Sequence, residues 1–325
     1  MHRVVGIVRR RVLQMIPVIL GIIIFNFLLL HMAPGDAVDV IAGEAGAGDA
    51  AYVAKLRAEY GLDQPLIVQL GRYVLQVLQF DLGHSFRQNM PVSELILDRL
   101  PATLLLMLVA LAMSFLLGLT LGVVAAWRVR TMTDNVISVV ALLSYATPTF
   151  WIGLMLILLF SVTLGWLPTT GMESIGAGYT GLERIVDIGR HLLLPAVTLS
   201  LFYMAIYTRL MRASMLEVYG QDYVRTAQAK GLADSRVAFK HVLRNAMLPV
   251  VTMAGIQVGS LLGGSVLVET VFGWPGLGRL AYDAVFQRDF NLLLGVLLLS
   301  SVLVVAANLI VDLLYAALDP RIEFK

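Results

Sequence analysis

The chain has 325 residues, 58% of them hydrophobic and 14% charged, with a formal net charge of +2. A soluble domain averages about 45–50% apolar and about 25% charged residues, so the surplus apolar surface needs a neighbour other than water, and lipid supplies it. The small net charge offers no basic field for nucleic acid, and the absence of cysteine removes disulfide frameworks, thiolate metal sites and thiol catalysis.

A membrane helix needs roughly 20 apolar residues, because a rise of about 1.5 Å per residue must cross about 30 Å of hydrocarbon. In chain order, six stretches qualify: Val12–Met32, Ala102–Trp127, Val136–Leu164, Leu192–Met211, Met247–Val268 and Leu292–Ala316. They predict an all-α, polytopic fold with about six transmembrane helices. A cleaved signal peptide is the competing reading of the first stretch, since Arg9–Arg11 precede it, but its apolar core is longer than such a peptide needs. Lys and Arg favour the cytoplasmic side of a membrane. Placing the N-terminus, 128–135, 209–246 and the C-terminal tail on one side gathers 15 of the 24 basic residues there, so both termini are read as cytoplasmic.

Three parts follow along the chain: residues 1–100 (a first span plus an external segment), 101–316 (a five-helix core) and 317–325 (a cytoplasmic tail). The external segment, Pro34–Arg99, opens on small and acidic residues and continues through two helix-like stretches, Asp49–Tyr60 and Leu66–Gln79. Pro91 and Pro101 bracket a short amphipathic stretch before the second span. Such a segment suits a soluble partner or a pore lid; a solvated connector is the alternative.

In the third span, Ser144-Tyr145-Ala146-Thr147-Pro148-Thr149 is a polar run whose proline interrupts helical hydrogen bonding. The fifth carries Gln257, Ser260 and Ser265, with Glu269 toward its outer end, where an external gate would sit. Polar groups are costly in hydrocarbon, so Ser144, Tyr145, Thr147, Thr149, Gln257, Ser260, Ser265 and Glu269 are candidates for a translocation path. Hydroxyls and amides pair with either sense of a peptide group; the alternative is bonding between neighbouring helices. Asp312 lies near the inner end of the last span and is read as pairing with a cation there. Gly118 with Gly122, and Gly255 with Gly259 and Gly263, recur at four-residue spacing, which favours close helix packing over a gating hinge.

The basic loop 212–246 is too long for a tight turn. It reads as a helix over Met215–Lys230, a stop at Gly231 and a helix over Ala233–Arg244, with Pro249 placed to start the fifth span. A short helix here is either a docking knob for a soluble partner or an amphipathic helix held by headgroups.

Other transport and catalytic classes fit poorly. An ion-coupled carrier places ionisable groups near the bilayer centre and often shows repeats; here Asp312 and Glu269 sit toward span ends and no convincing repeat is present. His2, His31, His84, His191 and His241 are scattered, which predicts no metal site and no intramembrane catalytic centre. Without a Gly-x-x-x-x-Gly-Lys-Ser/Thr sequence, the chain cannot cradle ATP itself.

The run Gln221-Asp222-Tyr223-Val224-Arg225-Thr226-Ala227-Gln228-Ala229-Lys230-Gly231-Leu232, continued by Phe239-Lys240-His241-Val242-Leu243-Arg244-Asn245-Ala246 and Leu248-Pro249, resembles the coupling motif of permeases in dipeptide, oligopeptide and nickel importers. Arg10-Arg11-Val12-Leu13-Gln14-Met15-Ile16-Pro17, His31-Met32-Ala33-Pro34-Gly35-Asp36, Tyr60-Gly61-Leu62-Asp63-Gln64-Pro65 and Asp81-Leu82-Gly83-His84-Ser85 are similar to the first span and external segment of that family's B-type permease. Val268-Glu269-Thr270-Val271-Phe272-Gly273-Trp274-Pro275-Gly276-Leu277-Gly278 and Asp319-Pro320-Arg321 are similar to the end of its fifth span and its tail. Arg225-Thr226-Ala227 stands where importer permeases in general carry Glu-Ala-Ala, so no role of that first carboxylate transfers.

The resemblance implies a methionine-importer-like (MetI-like) helical bundle in the bacterial inner membrane, forming half of the channel of an ATP-binding-cassette importer. It implies a second permease, two cytoplasmic ATPases that bind ATP and Mg, an extracytoplasmic binding protein and a peptide substrate, with glutathione or nickel chelates as alternative cargo. The permease itself then has no catalytic residue and binds no cofactor. Asp222, Tyr223, Arg225, Thr226, Ala227, Ala229, Lys230, Gly231 and Leu232 would contact an ATPase.

Overall fold

The computed structural model describes residues 2–32, 54, 58, 63–85 and 87–318. The expected helix over Asp49–Tyr60, the small and acidic start of the external segment and the tail from Asp319 lie outside the described residues, as does the side chain of Asp312. Ten helices carry labels: α1 His2–Met32, α2 Leu66–Leu78, α3 Val92–Trp127, α4 Met132–Ala146, α5 Thr149–Leu156, α6 Gly181–Tyr219, α7 Asp222–Ala229, α8 Arg244–Val271, α9 Leu277–Gln287 and α10 Phe290–Leu318. A two-residue hairpin pairs β1 His84–Ser85 with β2 Met90–Pro91. By length and composition α3, α6 and residues 290–311 of α10 can each cross a membrane alone, and two bent helix pairs qualify if each is one span. The apolar stretch of α1 is shorter, Leu13–Leu29.

Two of the expected boundaries move. The third stretch is not one straight helix: α4 and the helical run Thr149–Thr163 meet at 107°. Pro148 has no N–H to donate to Ser144, and it forces Thr147 out of the helical region, to φ −84° and ψ 135°. The carbonyls at the end of α4 and the first N–H groups of α5 are thereby released from the helix ladder. Pro249 does not start the fifth stretch either; it lies inside α8, which continues from a π-wound segment over Val237–Leu243. The stretch between Pro91 and Pro101 does lead into the second span: it forms the first turns of α3, which runs through Pro101 without a break.

The described residues form two compact units, one drawn from those up to 100 and from 280–309, the other from 101–279 and 310–318. In the first, the end of α1 meets α2: His31 bonds Gln69 at 3.0 Å and the Phe27 and Tyr73 rings lie 5.8 Å apart. The hairpin holds the start of α10. Asp289 accepts the Leu292 N–H as an N-cap and also accepts the buried Ser85 hydroxyl. Asn291 donates to the His84 carbonyl, and Gly295 brings α10 against Val92 with no room for a methyl group. This gives the Asp81-Leu82-Gly83-His84-Ser85 sequence a mechanical role.

In the second unit, α6 is the central element. Its most apolar window is 72% buried, against 28% for α3, which leaves α3 as an outer wall. α8, α4 and α5 pack around α6. The glycine pair of α3 makes the approach possible: a Cβ at Gly118 would stand 2.5 Å from Tyr207 Cβ, and one at Gly122 would stand 2.6 Å from Met211 Cβ. Gly263 differs, with nothing within 4 Å of an added Cβ, so it is not needed for packing inside this chain.

Gly118→Val and Gly122→Val are each expected to destabilise the purified protein by about 1–3 kcal/mol through overpacking. Gly263→Ala should leave the melting temperature unchanged. Equal melting of all three variants in detergent would show that the α3–α6 contact is loose.

Candidate coupling site and translocation path

α6 ends at Tyr219, and the chain turns at Gly220 instead of running helically to Lys230 as the sequence suggested. α7 then forms a separate two-turn helix. It stops where Gly231 takes φ +78°, with its N–H bonded to Gln228 at 2.9 Å. A left-handed residue after the last helical turn favours glycine, and open space around Gly231 shows that conformation alone fixes the choice.

α7 has two faces. Val224 and Ala227 point inward, and they join Val237 and Val242 in the core of the unit. Asp222, Tyr223, Arg225, Thr226, Ala229, Lys230 and Gly231 are exposed, and Leu232 is half-buried. Ala227 therefore seats the knob from beneath and is not part of its outer surface, which differs from the sequence expectation. Tyr223 is tied back to the next helix, since Asn245 Nδ2 donates to its hydroxyl at 3.1 Å and to the His241 carbonyl at 2.8 Å. The Arg225–Asp222 contact, 3.8 Å between two exposed side chains, contributes little and leaves both charges available.

A buried ion pair missed at the sequence level joins α4 to α6 near the knob. Arg212 binds Asp134 in bidentate fashion, with Nε to Oδ1 at 2.7 Å and Nη2 to Oδ2 at 2.8 Å. Asp134 also accepts the Arg130 N–H at 3.0 Å, where Arg130 has φ +63° in the turn before α4. One turn earlier on α6, the Arg209 guanidinium lies 4.6 Å from the Tyr145 ring centroid, and Tyr145 stacks on Phe202 at 5.1 Å.

The candidate path residues do not share one surface. Tyr145 is exposed beside the α4–α5 break, Thr147 and Thr149 are half-buried around Pro148, and Ser144 is buried. Gln257 and Ser260 satisfy each other at 2.6 Å. Glu269 is 0% exposed, so it does not line an opening within this chain. Thr103 donates to it at 2.9 Å, the Arg279 N–H at 3.0 Å, and Gly278 and Ser265 also bond to it. The same Thr103 oxygen accepts the Leu277 N–H at 2.7 Å. Glu269 thus caps the first turn of α9, where free N–H groups attract a carboxylate. Gly276 and Gly278 are required beside it, because a Cβ at either would overlap the carboxylate. Trp274 closes the turn by donating to the Ala102 carbonyl at 2.9 Å.

At that same end, the loop between the Ile157–Thr163 π segment and α6 is fastened down. Asp187 accepts both the Ser174 N–H and hydroxyl, and Gly171 N–H donates to the Phe272 carbonyl at 2.9 Å. Arg184 bonds Glu173 at 2.6 Å and holds its carboxyl below the usual range.

A broken third helix, a long central α6 and an exposed two-turn helix between α6 and α8 define a distinctive arrangement, and comparison with known proteins identifies it. The family described as "Binding-protein-dependent transport system inner membrane component" matches residues 118–324, and the N-terminal region described for the same systems matches residues 4–107. The chain belongs to that family. The oligopeptide transport system permease protein AppB of Bacillus subtilis (strain 168) is 44% identical over 318 residues, covering 97% of this chain and 98% of AppB. The glutathione transport system permease protein GsiC of Salmonella paratyphi A is 43% identical over 319 residues, covering 98% of this chain and 99% of GsiC. A putative peptide transport system permease protein of Brucella abortus (strain 2308), BAB2_1050, is 41% identical over 98% of this chain and 99% of its own. The fold is shared with the MetNI methionine ABC transporter in an inward-facing conformation, at a TM-score of 0.55 and 20% identity over 69% of this chain and 96% of the other.

In this permease, Arg212→Ala would strand the buried Asp134 carboxylate and is expected to cost about 3 kcal/mol. Exchanging the two residues, Asp134→Arg with Arg212→Asp, should recover part of that loss in thermal melting. A single Arg212→Ala variant that melts like the parent would remove the pair from any structural role.

Proposed function

We propose that this chain is one of two permease subunits of an ATP-driven importer for small peptides in the bacterial cytoplasmic membrane. It forms half of a channel with a homologous second permease. Two ATPase subunits, which hold ATP and Mg, drive the cycle, and an extracytoplasmic binding protein delivers the cargo. Six spans with both termini in the cytoplasm put the 212–246 loop, with its exposed charged face, on the ATPase side.

Family membership and full-length relatives named for oligopeptide and peptide transport support this reading. The observation that carries it is the shape of α7: a short helix seated on Val224 and Ala227, which turns charged and small side chains outward from the ends of α6 and α8. A knob seated in a groove of an ATPase transmits rigid-body motion when nucleotide brings the ATPases together. The GsiC relatives favour glutathione as a second cargo, itself a short peptide-like acid.

ATP-dependent, gradient-independent uptake in proteoliposomes containing the complete complex tests the class. The combined change Arg225→Glu and Lys230→Glu alters only exposed charges, so it should leave melting unchanged and lower uptake about tenfold, equal to about 1.4 kcal/mol. Uptake that follows an ion gradient, or that survives the double charge reversal intact, contradicts the proposal.

A further inference from the structure

Arg209, on α6, is held by an aromatic face and by no ion pair among the described residues. It projects from α6 toward Tyr145, one helical turn beyond Arg212 on the side away from the knob, roughly 4.5 Å along the axis. The guanidinium is exposed on the surface of this chain. Its contact is the face of the Tyr145 ring at 4.6 Å, with Phe202 stacked behind that ring.

No carboxylate among the described residues forms an ion pair with Arg209. The carboxylate that would suit it, Asp134, already gives both oxygens to Arg212 and one of them also to the Arg130 N–H. A cation on an aromatic face keeps its N–H edges free, because the ring occupies the flat side of the guanidinium. Both Arg209 and Tyr145 are exposed. An ionisable side chain displayed beside the break in a membrane helix is suited to meet an ion or substrate.

A second feature meets it there. Tyr145 is in the last turn of α4, beside the 107° break at Thr147–Pro148. Discontinuous helices in membranes leave backbone donors and acceptors free, and these persist where they line a cavity or pathway. A peptide in transit offers the complement to both features, with amide groups for the open backbone and a terminal carboxylate for a planar, two-pronged cation.

We propose that Arg209, displayed on the Tyr145–Phe202 stack beside the helix break, is a carboxylate-binding station of the translocation path that receives the C-terminal carboxylate of the peptide. This rests on the peptide-importer reading. It places Tyr145 as the platform that aims the guanidinium, not as a hydrogen-bonding contact of its own.

The test uses the complete complex in proteoliposomes and a matched pair of peptides, one with a free C-terminal acid and one with a C-terminal amide, both first shown to bind the binding protein. Arg209→Gln should lower uptake of the acid roughly tenfold, the scale of a charge-assisted bidentate contact, and leave uptake of the amide unchanged. Arg209→Cys provides chemical rescue, as this chain has no cysteine of its own. An aminoethyl methanethiosulfonate adduct should restore acid uptake, and a sulfonatoethyl adduct should not. An equal fall for acid and amide would mean that Arg209 serves assembly or a partner subunit's carboxylate, and it overturns the inference alone. Unchanged acid uptake in Arg209→Gln overturns it as well. Absence of ATP-driven uptake of either peptide by the parent complex removes the importer reading together with this one.

Discussion

The bidentate pair between Asp134 and Arg212 is the constraint on which the packing of α4 against α6 depends. A carboxylate 2% exposed cannot stay charged without a partner, and Arg212 supplies two short hydrogen bonds at once. The pair fixes the start of α4 to the end of α6. Because α7 follows α6 after a two-residue turn and rests on the same core, the knob inherits that fixation. In the proposed coupling role, a force on α7 would be delivered to α4 and toward the break at Pro148.

A second buried carboxylate does comparable work at the opposite end of α8. Glu269 gathers Thr103 from α3, Ser265 from its own helix and the first N–H groups of α9, with Gly276 and Gly278 providing the space. The loop before α6 is pinned to the same turn through Gly171 and Phe272. Each end of the α6–α8 pair is thus closed by an internal carboxylate, and between α4 and α5 the helix ladder is interrupted at Thr147–Pro148. Fixed ends around an interrupted helix fit the proposed role of a subunit that transmits motion and lines a path.

Much of the helical layout was legible in composition, since a run of apolar residues long enough to span lipid has few alternatives. The stop at Gly231 was legible for the same kind of reason: glycine after a helical stretch reports a left-handed residue. Other features were hidden. Asp134 and Arg212 are 78 positions apart, and no periodicity connects them. The turn at Gly220 leaves no signal in the sequence, because helix-compatible residues flank it on both sides. Ala227 read as a contact residue because small side chains suit both a partner groove and a buried seat; only the burial of Val224 beside it distinguishes the two. Glu269 stands out in sequence as an ionisable residue at a span end, but its partners come from Thr103 and from the turn that follows, so its inward direction is not readable from its position. Proline 148 announced an interruption, and the size of the bend came from the extended conformation it imposes on Thr147.

Rigid linkage from knob to path can be measured directly by electron–electron spin resonance on the assembled transporter. One spin label goes on exposed Gln228 in α7 and a second on Val136 in α4, in the cysteine-free chain. The distance distribution within one subunit should be narrow and identical in the nucleotide-free and ATP-bound states, while a pair of labels at Gln228 and the equivalent knob of the second permease shifts between those states. A distribution from Gln228 to Val136 that broadens or shifts on ATP binding would mean that α7 moves independently of α4, and the Asp134–Arg212 linkage would not be what carries the stroke.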